Sequence, residues 1–375
     1  MARIRNLYPG GNTCYGFYSF YDYMVSPEVG RKIILKGGPG VGKSSFMKKM
    51  AQEFLSQGYD IEYHWCSSDN ESLDGIVIGK QQACILDGTA PHMVDPRYPG
   101  AVDEIINLGN YWQQKLLHKN RSQIIELTSQ VSICFERAYM RLRESKVAMT
   151  EWESYYQETR DDEAVNRNIV ALTGDFLSGL VGDGQKFRHM FPGAITPGGL
   201  VSKIDSLIQS DYSLFAVQGS PGSGVKELFS YTEHTLNLTG VQAEVYHNPF
   251  DPENIDIIIL PQSKSVLIDI SGHLLDYAAL LPGIKQRRFL DFDQLANISI
   301  IDIYEKNITS ARERFASGLE AAINFIRQAK TYHDQLESYY IPAMDFDTME
   351  AMRQDLSKQL LQILSNGQGV NNRRG

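Results

Sequence analysis

Short apolar runs separated by polar turns fill the first hundred or so residues of the chain. Four of these runs have the length of buried strands, and they lie at 32–36, 60–65, 75–78 and 83–86. Between the first two, the segment 43–56 has its apolar residues spaced for one face of a helix. Strands that alternate with crossover connections form a largely parallel sheet covered by helices, so the pattern predicts an α/β fold.

The same pattern recurs in the second half of the chain. Residues 37–87 align with 219–269 at a constant shift of 182 positions, without a gap and with eleven identities. Flanking segments repeat in the same order, and they pair 5–13 with 188–196 and Glu-Ser-Tyr-Tyr at 153–156 with the same four residues at 337–340. A repeat of this length is a whole domain rather than a solenoid unit. We therefore predict two tandem domains of the same fold.

A helical segment follows the sheet pattern in each half. From about residue 104 glycine and proline become scarce and apolar residues recur at helical spacing, and the counterpart runs over about 303–363. In each half we expect a hairpin, whose return helix starts near Asp161 or Phe346. These appendages could pack into the core, or offer a lever or a surface for a protein partner or self-association. The predicted organisation is a first domain at 1–184 (core 1–103, appendage 104–184), a second at 185–365, and a disordered tail at 366–375.

A complete phosphate-binding loop, GGPGVGKS at 37–44, joins the first predicted strand to the first helix. Its glycines let several backbone N–H groups turn toward one phosphate chain, and the helix presents its positive N-terminal end to the same anion. In such a loop the lysine, here Lys43, reaches the β- and γ-phosphates, and the hydroxyl of Ser44 binds Mg²⁺. The predicted nucleotide-binding residues are Gly38, Pro39, Gly40, Val41, Gly42, Lys43, Ser44 and Ser45.

Asp87 ends the fourth predicted strand, where a Walker B carboxylate would hold magnesium through water. We therefore predict a Mg²⁺ site formed by Ser44 and Asp87. We expect the nucleotide to be ATP rather than GTP, because the chain has no convincing NKxD-like segment that would read a guanine base.

The sequence offers several candidates for the group that positions a water molecule or an acceptor hydroxyl. Glycine rather than glutamate follows Asp87, which argues against a standard AAA+ ATPase. Ligands of open α/β sheets bind at the carboxyl ends of strands, so residues that follow the second and fourth strands are candidates. The predicted catalytic residues are Lys43, Asp87, Asp69, Glu71 and His92. The alternative is a turn-forming role for Asp69 and Glu71, and a structural hydrogen bond for His92.

The second repeat carries a degenerate loop, GSPGSGVK at 219–226. Val225 stands at the position of the lysine, and Lys226 follows at the position of the serine. One residue along a helix is a rotation of about 100°, so we expect Lys226 to point away from the direction that Lys43 takes. Because valine cannot neutralise phosphate, we expect this site to bind nucleotide weakly or not at all. A compensating role for Lys226 is the alternative.

Arg5 and Arg188 occupy matching positions in the segment that precedes each sheet. Either could act as an arginine finger on the nucleotide of the other half, since such a finger stabilises the charge of the transition state. The alternative is a salt bridge that fixes the N-terminal segment.

Charge and composition restrict the classes of binding partner and the cellular compartment that we expect. The net charge of −9 and the pI near 5.4 disfavour nucleic acid, because such a chain repels phosphates unless it has a local basic patch. The four cysteines lack metal-ligand spacing, and residues 1–10 lack the apolar centre of a signal peptide. Since no stretch approaches the ~20 apolar residues that span a bilayer, we expect a cytoplasmic protein without a membrane partner.

With these motifs, nearly the whole chain resembles a bacterial family of tandem P-loop proteins that are usually labelled as ATPases or nucleotide-kinase-like. The matching segments are 8–13, 36–44, 72–75 and 86–92. The resemblance implies a P-loop fold and nucleotide binding, and little about the substrate. We predict a Mg²⁺-dependent, ATP-hydrolysing switch with one active and one degenerate site. The alternatives are a kinase for a small nucleoside-type molecule and a non-catalytic nucleotide-binding scaffold.

Overall fold

The computed structural model describes residues 2–26, 29–90, 93–182, 184, 187–281 and 283–371, with the backbone alone for residues 298 and 366–371. The chain divides into two compact units, and each unit contains segments from both halves of the sequence. The first unit comprises Met1–Asn6, Met24–Cys134 and Gln328–Gly375, and the second comprises Leu7–Tyr23 and Phe135–Arg327. The compact units thus differ from the tandem ranges 1–184 and 185–365, which stay a prediction about the duplication.

The sheet of the first unit is mixed. The first half of the chain contributes β1 (Ile4–Leu7), β2 (Gly10–Thr13), β3 (Gly16–Ser19), β4 (Arg31–Lys36), β5 (Ile61–Trp65), β6 (Leu73–Ile78), β7 (Ala83–Asp87) and β8 (Asp103–Asn107). The strand order is β1-β5-β6-β7-β4-β8, and β4 pairs in parallel with β7 and β8. The strand β6 runs antiparallel to β5 and β7. The turns on both sides of β6 are too short for the crossover that a parallel pair requires, so this strand departs from the expected crossover pattern.

The second unit repeats this topology. Its strands are β9 (Arg188–Met190), β10 (Gly193–Thr196), β11 (Gly199–Ser202), β12 (Ser213–Gln218), β13 (Glu244–His247), β14 (Ile255–Leu260), β15 (Ser265–Asp269) and β16 (Lys285–Asp291). The order β9-β13-β14-β15-β12-β16 is that of the first sheet, and β14, like β6, runs antiparallel to both of its neighbours. The hairpins β2–β3 and β10–β11 correspond between the two repeats, and both belong to the second unit. Two mostly parallel sheets with helices confirm the predicted α/β class.

The helices confirm several predicted boundaries. They are α1 (Lys43–Ser56), α2 (Gln114–Lys119), α3 (Arg121–Gln157), α4 (Asp162–Phe176), α5 (Val225–Thr239), α6 (Tyr277–Leu280), α7 (Ile298–Tyr340) and α8 (Phe346–Asn371). The return helix α4 starts where predicted because the Asp161 carboxylate accepts the Ala164 N–H at 3.0 Å. The return helix α8 starts at Phe346, also as predicted. Among the residues that the structure describes, no helix has both the length and the apolar surface to cross a bilayer.

Two details of the helical appendages differ from expectation. The first appendage does not begin at residue 104, because 103–107 form the edge strand β8, whose only apolar residues are the adjacent Ile105 and Ile106. The predicted tail 366–375 begins within α8, which is helical to Asn371, and 372–375 lie outside the described residues.

The core of the first unit joins the beginning and the end of the chain. Phe46 and Phe54 on α1 pack with Ile33 of the sheet, and all are fully buried. Leucines at four-residue spacing on α8 complete the same core, and they are Leu356, Leu360 and Leu364. Burial of one such leucine contributes about 1.5–3 kcal/mol. The helix α8 is therefore an integral layer of this unit, in agreement with the core-packing interpretation of its appendage.

The core of the second unit is built in the same way. Ile169 on α4 and Phe229 on α5 pack in one buried cluster with Phe215 of β12. The helix α4 thus has the place on the second sheet that α8 has on the first.

Candidate functional site

The loop between β4 and α1 has the conformation that its glycines predict. Gly40 and Gly42 have φ angles of 68° and 86°, in the left-handed region that other residues rarely adopt. The loop then enters α1 directly at Lys43. Backbone N–H groups at the start of a helix are a ready anion-binding site, so this local geometry is that of a phosphate cradle.

Lys43 folds back over the loop. Its ammonium donates to the carbonyl oxygens of Gly37 at 2.9 Å and Gly38 at 3.0 Å, and it lies 3.5 Å from Asp87 Oδ2. The parallel pairing of β4 and β7 sets Asp87 opposite Leu35, at the carboxyl edge where the loop begins. The structure therefore brings together Lys43, Asp87 and the loop, as the sequence predicts for a nucleotide site.

The two candidate magnesium ligands are both held in place by hydrogen bonds. Asp87 Oδ1 accepts from the backbone N–H of Thr89 at 2.8 Å and from its hydroxyl at 2.5 Å. Ser44 Oγ accepts from the backbone N–H of Leu73 at 3.1 Å. A hydroxyl and a carboxylate are hard oxygen donors of the kind that Mg²⁺ takes beside phosphate and water. The residues present therefore fit the ion.

The other candidate residues lie in different surroundings. Asp69 accepts from the Glu71 N–H and the Ser72 hydroxyl, each at 3.0 Å, and lies 3.3 Å from Lys330 Nζ. These bonds are those of a turn-forming aspartate. Ser45 and Glu71 are exposed. His92 lies outside the described residues.

Arg5 is engaged in a salt bridge within the first unit. Its guanidinium donates to Glu62 Oε1 at 2.9 Å, and both side chains are largely buried. Its counterpart Arg188 donates to the carbonyl oxygen of Tyr23 at 3.0 Å in the second unit. The geometry of Arg5 is that of the structural alternative.

Two residues at the end of α7 contact the loop, and sequence reasoning did not assign them to the site. The Gly40 N–H donates to Glu337 Oε1 at 3.1 Å. A methyl group at Gly38 would lie 2.8 Å from the Tyr340 ring. The sequence marks both residues only as the two ends of the Glu-Ser-Tyr-Tyr segment that occurs in each repeat, without a link to the loop.

The degenerate loop of the second unit is closed by the protein's own side chains. The Ser220 N–H and hydroxyl donate to the Asp293 carboxylate at 2.7 and 3.0 Å, and the Gly219 N–H donates to Ser271 Oγ at 2.9 Å. Arg160 donates to the carbonyl oxygen of Gly222 at 2.8 Å and to Glu227 at 2.7 Å. A carboxylate thus occupies donors that a phosphate would need.

An acidic cavity of about 110 Å³ adjoins this loop within the second unit. Carboxylates outnumber the basic side chains Lys226 and His273 in its lining, and they are Glu153, Glu227, Asp251, Asp256 and Asp269. Burial and the nearby Asp269 raise the pKa of Asp256 to about 7, and burial raises the pKa of Asp269. Asp87 has Lys43 beside it, whereas the equivalent Asp269 belongs to a repeat with Val225 at that place. Asp269 therefore has no counterpart of the lysine that lies beside Asp87.

Comparison with known proteins places part of the chain beside a protein family. Residues 33–135 are similar to a protein family described as RNA helicase. The matched stretch includes the loop 37–44 and Asp87, and it is shorter than half of the chain. It indicates that the chain contains a P-loop NTPase-type, nucleotide-binding domain. No curated protein and no solved structure matched the chain.

Proposed function

We propose that the first repeat binds Mg-ATP through the loop 37–44 and hydrolyses it as a conformational switch. The observation that carries this proposal is the meeting of Lys43, Asp87 and the glycine loop at the start of α1. The match to a family of P-loop NTPase type supports it.

In this proposal each residue of the site has one task. The loop amides grip the phosphate chain, and Lys43 exchanges the carbonyl oxygens of Gly37 and Gly38 for phosphate oxygens. Ser44 and Asp87 would hold magnesium, which neutralises charge that develops on the phosphates. Thr89 keeps the Asp87 carboxylate oriented while Lys43 moves.

The second repeat would not bind nucleotide. It has Val225 in place of lysine, a carboxylate bound to its loop amides, and an acidic cavity beside them. Negative charge near a phosphate site raises the free energy of the bound state. One active and one closed site would suit a protein in which one half responds to the nucleotide state of the other.

Calorimetric titration with ATP and Mg²⁺ tests the nucleotide site. We expect Lys43→Ala to weaken binding by roughly tenfold to a hundredfold, since a charge-assisted hydrogen bond contributes about 1.5–3 kcal/mol. The matched control is Lys226→Ala, which removes a lysine from the corresponding turn of the second repeat and should leave the affinity unchanged. If Lys43→Ala binds ATP as tightly as wild type does, and circular dichroism shows that both proteins are folded, the proposal is wrong.

The match to an RNA helicase family favours a second candidate, an ATPase that nucleic acid stimulates. The net charge of −9 argues against it, and the absence of a nucleic-acid partner stays a prediction. The rate of ADP release separates the switch, the helicase-type ATPase and the kinase. It is measured without additives, with single-stranded RNA and with a panel of nucleosides. Slow release that no additive changes is expected for the switch. Stimulation by RNA would indicate a helicase-type ATPase instead of the switch. Stimulation by a nucleoside would indicate a kinase.

A further inference from the structure

The end of α7 lies directly on the phosphate-binding loop of the first unit. Glu337 Oε1 accepts the Gly40 N–H at 3.1 Å. A methyl group at Gly40 would also lie 3.0 Å from the Glu337 carbonyl oxygen and 3.1 Å from its Cα. The contact therefore involves the backbone of the helix as well as one flexible side chain.

A bound phosphate chain would need the same donor. The loop amides are the groups that cradle phosphate in a site of this type. One N–H has a single hydrogen, so Gly40 cannot donate a full bond to a carboxylate and to a phosphate together. The carboxylate and the phosphates are also both anionic and would repel each other at this distance. Glu337 and the nucleotide are thus mutually exclusive ligands of the loop.

We propose that Glu337 is an internal plug of the nucleotide site, and that ATP binding requires the last turns of α7 to withdraw from the loop. This inference rests on the proposed function of the first repeat. The end of α7 would then be the moving part of the switch. This end belongs to the first unit, whereas the earlier residues of α7 belong to the second.

Apolar contacts hold the plug in register. Tyr340 packs against Gly38, and its ring centroid lies 5.9 Å from that of Trp112. The segment after Tyr340 is tied to the chain around Trp112 by backbone hydrogen bonds of 2.8 Å, in which Gln113 donates to Ala343 and Asp345 donates to Tyr111. These bonds anchor the residues that follow α7. We therefore expect only the last turns of α7, and not the residues after them, to withdraw from the loop.

A role for Glu337 as the base of hydrolysis fits the geometry less well. A residue that activates water acts beyond the terminal phosphate, whereas Glu337 is bonded to a donor within the loop itself. His333 Nδ1 lies 3.8 Å from Glu337 Oε1, one turn earlier on the same face of α7. The position of the carboxylate is that of a competitor for phosphate.

Equilibrium binding of Mg-ATP to Glu337 variants tests the plug. Removal of the competing carboxylate in Glu337→Ala should lower the apparent dissociation constant roughly tenfold or more, because occupancy of the closed form reduces apparent affinity in proportion. Glu337→Gln, which can still accept the hydrogen bond without a charge, should lie between. Glu320→Gln is the control, since it removes one negative charge from an exposed position on the same helix, outside the segment that contacts the loop. It should bind as wild type does.

The outcomes separate this inference from the proposed function. If wild type and Glu337→Ala bind ATP equally, the plug is wrong and the nucleotide site stands. If the affinity is unchanged and ADP release falls in Glu337→Ala, Glu337 is catalytic and the plug is likewise wrong. If no variant binds ATP, the proposed function fails and the plug fails with it.

Hydrogen exchange gives a second readout that does not depend on a variant. On addition of Mg²⁺ and a non-hydrolysable ATP analogue, peptides that cover 328–340 should exchange faster, because the segment loses its contacts with the loop. Slower exchange there would show that α7 closes over the nucleotide as a lid, which contradicts the plug.

Discussion

Asp256 makes the stability of the second unit depend on pH in a direction opposite to that of most carboxylates. Burial, with Asp269 nearby, raises its pKa from 3.8 to about 7 in the folded chain. The folded state therefore keeps this proton over a pH range in which the unfolded state has lost it. As the pH rises from about 4 to about 7, the free energy of unfolding falls, and above pH 7 the loss is complete.

The size of the effect follows from the two pKa values. The difference between 3.8 and about 7 corresponds to on the order of 4 kcal/mol, at about 1.4 kcal/mol per pH unit. In Asp256→Asn the neutral amide has no carboxylate charge to bury, so the unfolding free energy no longer falls by this amount as the pH rises. Tyr277 donates to Oδ2 at 2.8 Å, and Asn248 donates to both oxygens. One donor of the new amide would face Asn248, which costs about 1 kcal/mol, so a net gain of about 3 kcal/mol is expected at pH 8.

Urea denaturation from pH 4 to pH 8 measures this prediction. Asp256→Asn should be more stable than wild type at pH 8, and near pH 4 this advantage should be lost, so that only the cost of about 1 kcal/mol at Asn248 remains. Asp302→Asn, at an exposed position of the same unit, is the charge-matched control and should follow wild type throughout. If the unfolding free energies of wild type and Asp256→Asn depend on pH in the same way, Asp256 does not carry the raised pKa.

Further predictions follow from the second loop and from the core. Val225→Lys restores the missing lysine, but it should not create a second ATP site in a calorimetric titration, because Asp293 and Arg160 still close the loop. A second binding event in that variant would show that the lysine alone was missing. Leu360→Ala should lower the unfolding free energy of the first unit by about 2–5 kcal/mol, since the side chain is fully buried under the sheet. A change below about 0.5 kcal/mol in urea denaturation would mean that α8 is not part of this core.

The sequence predicted those parts of the fold that local pattern determines. The first helix could be placed at 43–56 because a glycine loop starts it and apolar residues mark one face. The strand β8 was missed because its five residues include only two apolar ones and the helical pattern begins soon after. The antiparallel β6 was missed because an apolar run shows a strand but not its direction. The division into units depends on contacts between distant segments, such as α8 on the first sheet, which periodicity does not contain.

The candidate site divides in the same way. Lys43, Ser44 and Asp87 were predictable because a loop motif and a strand end specify them within 50 or so residues. Glu337 meets Gly40 from 297 positions away, and nothing in either segment points to the other. Asp293 closes the second loop from 73 positions away. The repeated Glu-Ser-Tyr-Tyr segment marked the duplication, but the contact that gives it a role required the structure.

The most direct test of one functional and one degenerate nucleotide site is the stoichiometry of Mg-ATP binding to the whole chain. Titration calorimetry should give one ATP per chain in wild type and in Lys226→Ala, with binding strongly weakened in Lys43→Ala. Two sites per chain, or a single site that survives the loss of Lys43, would contradict the account.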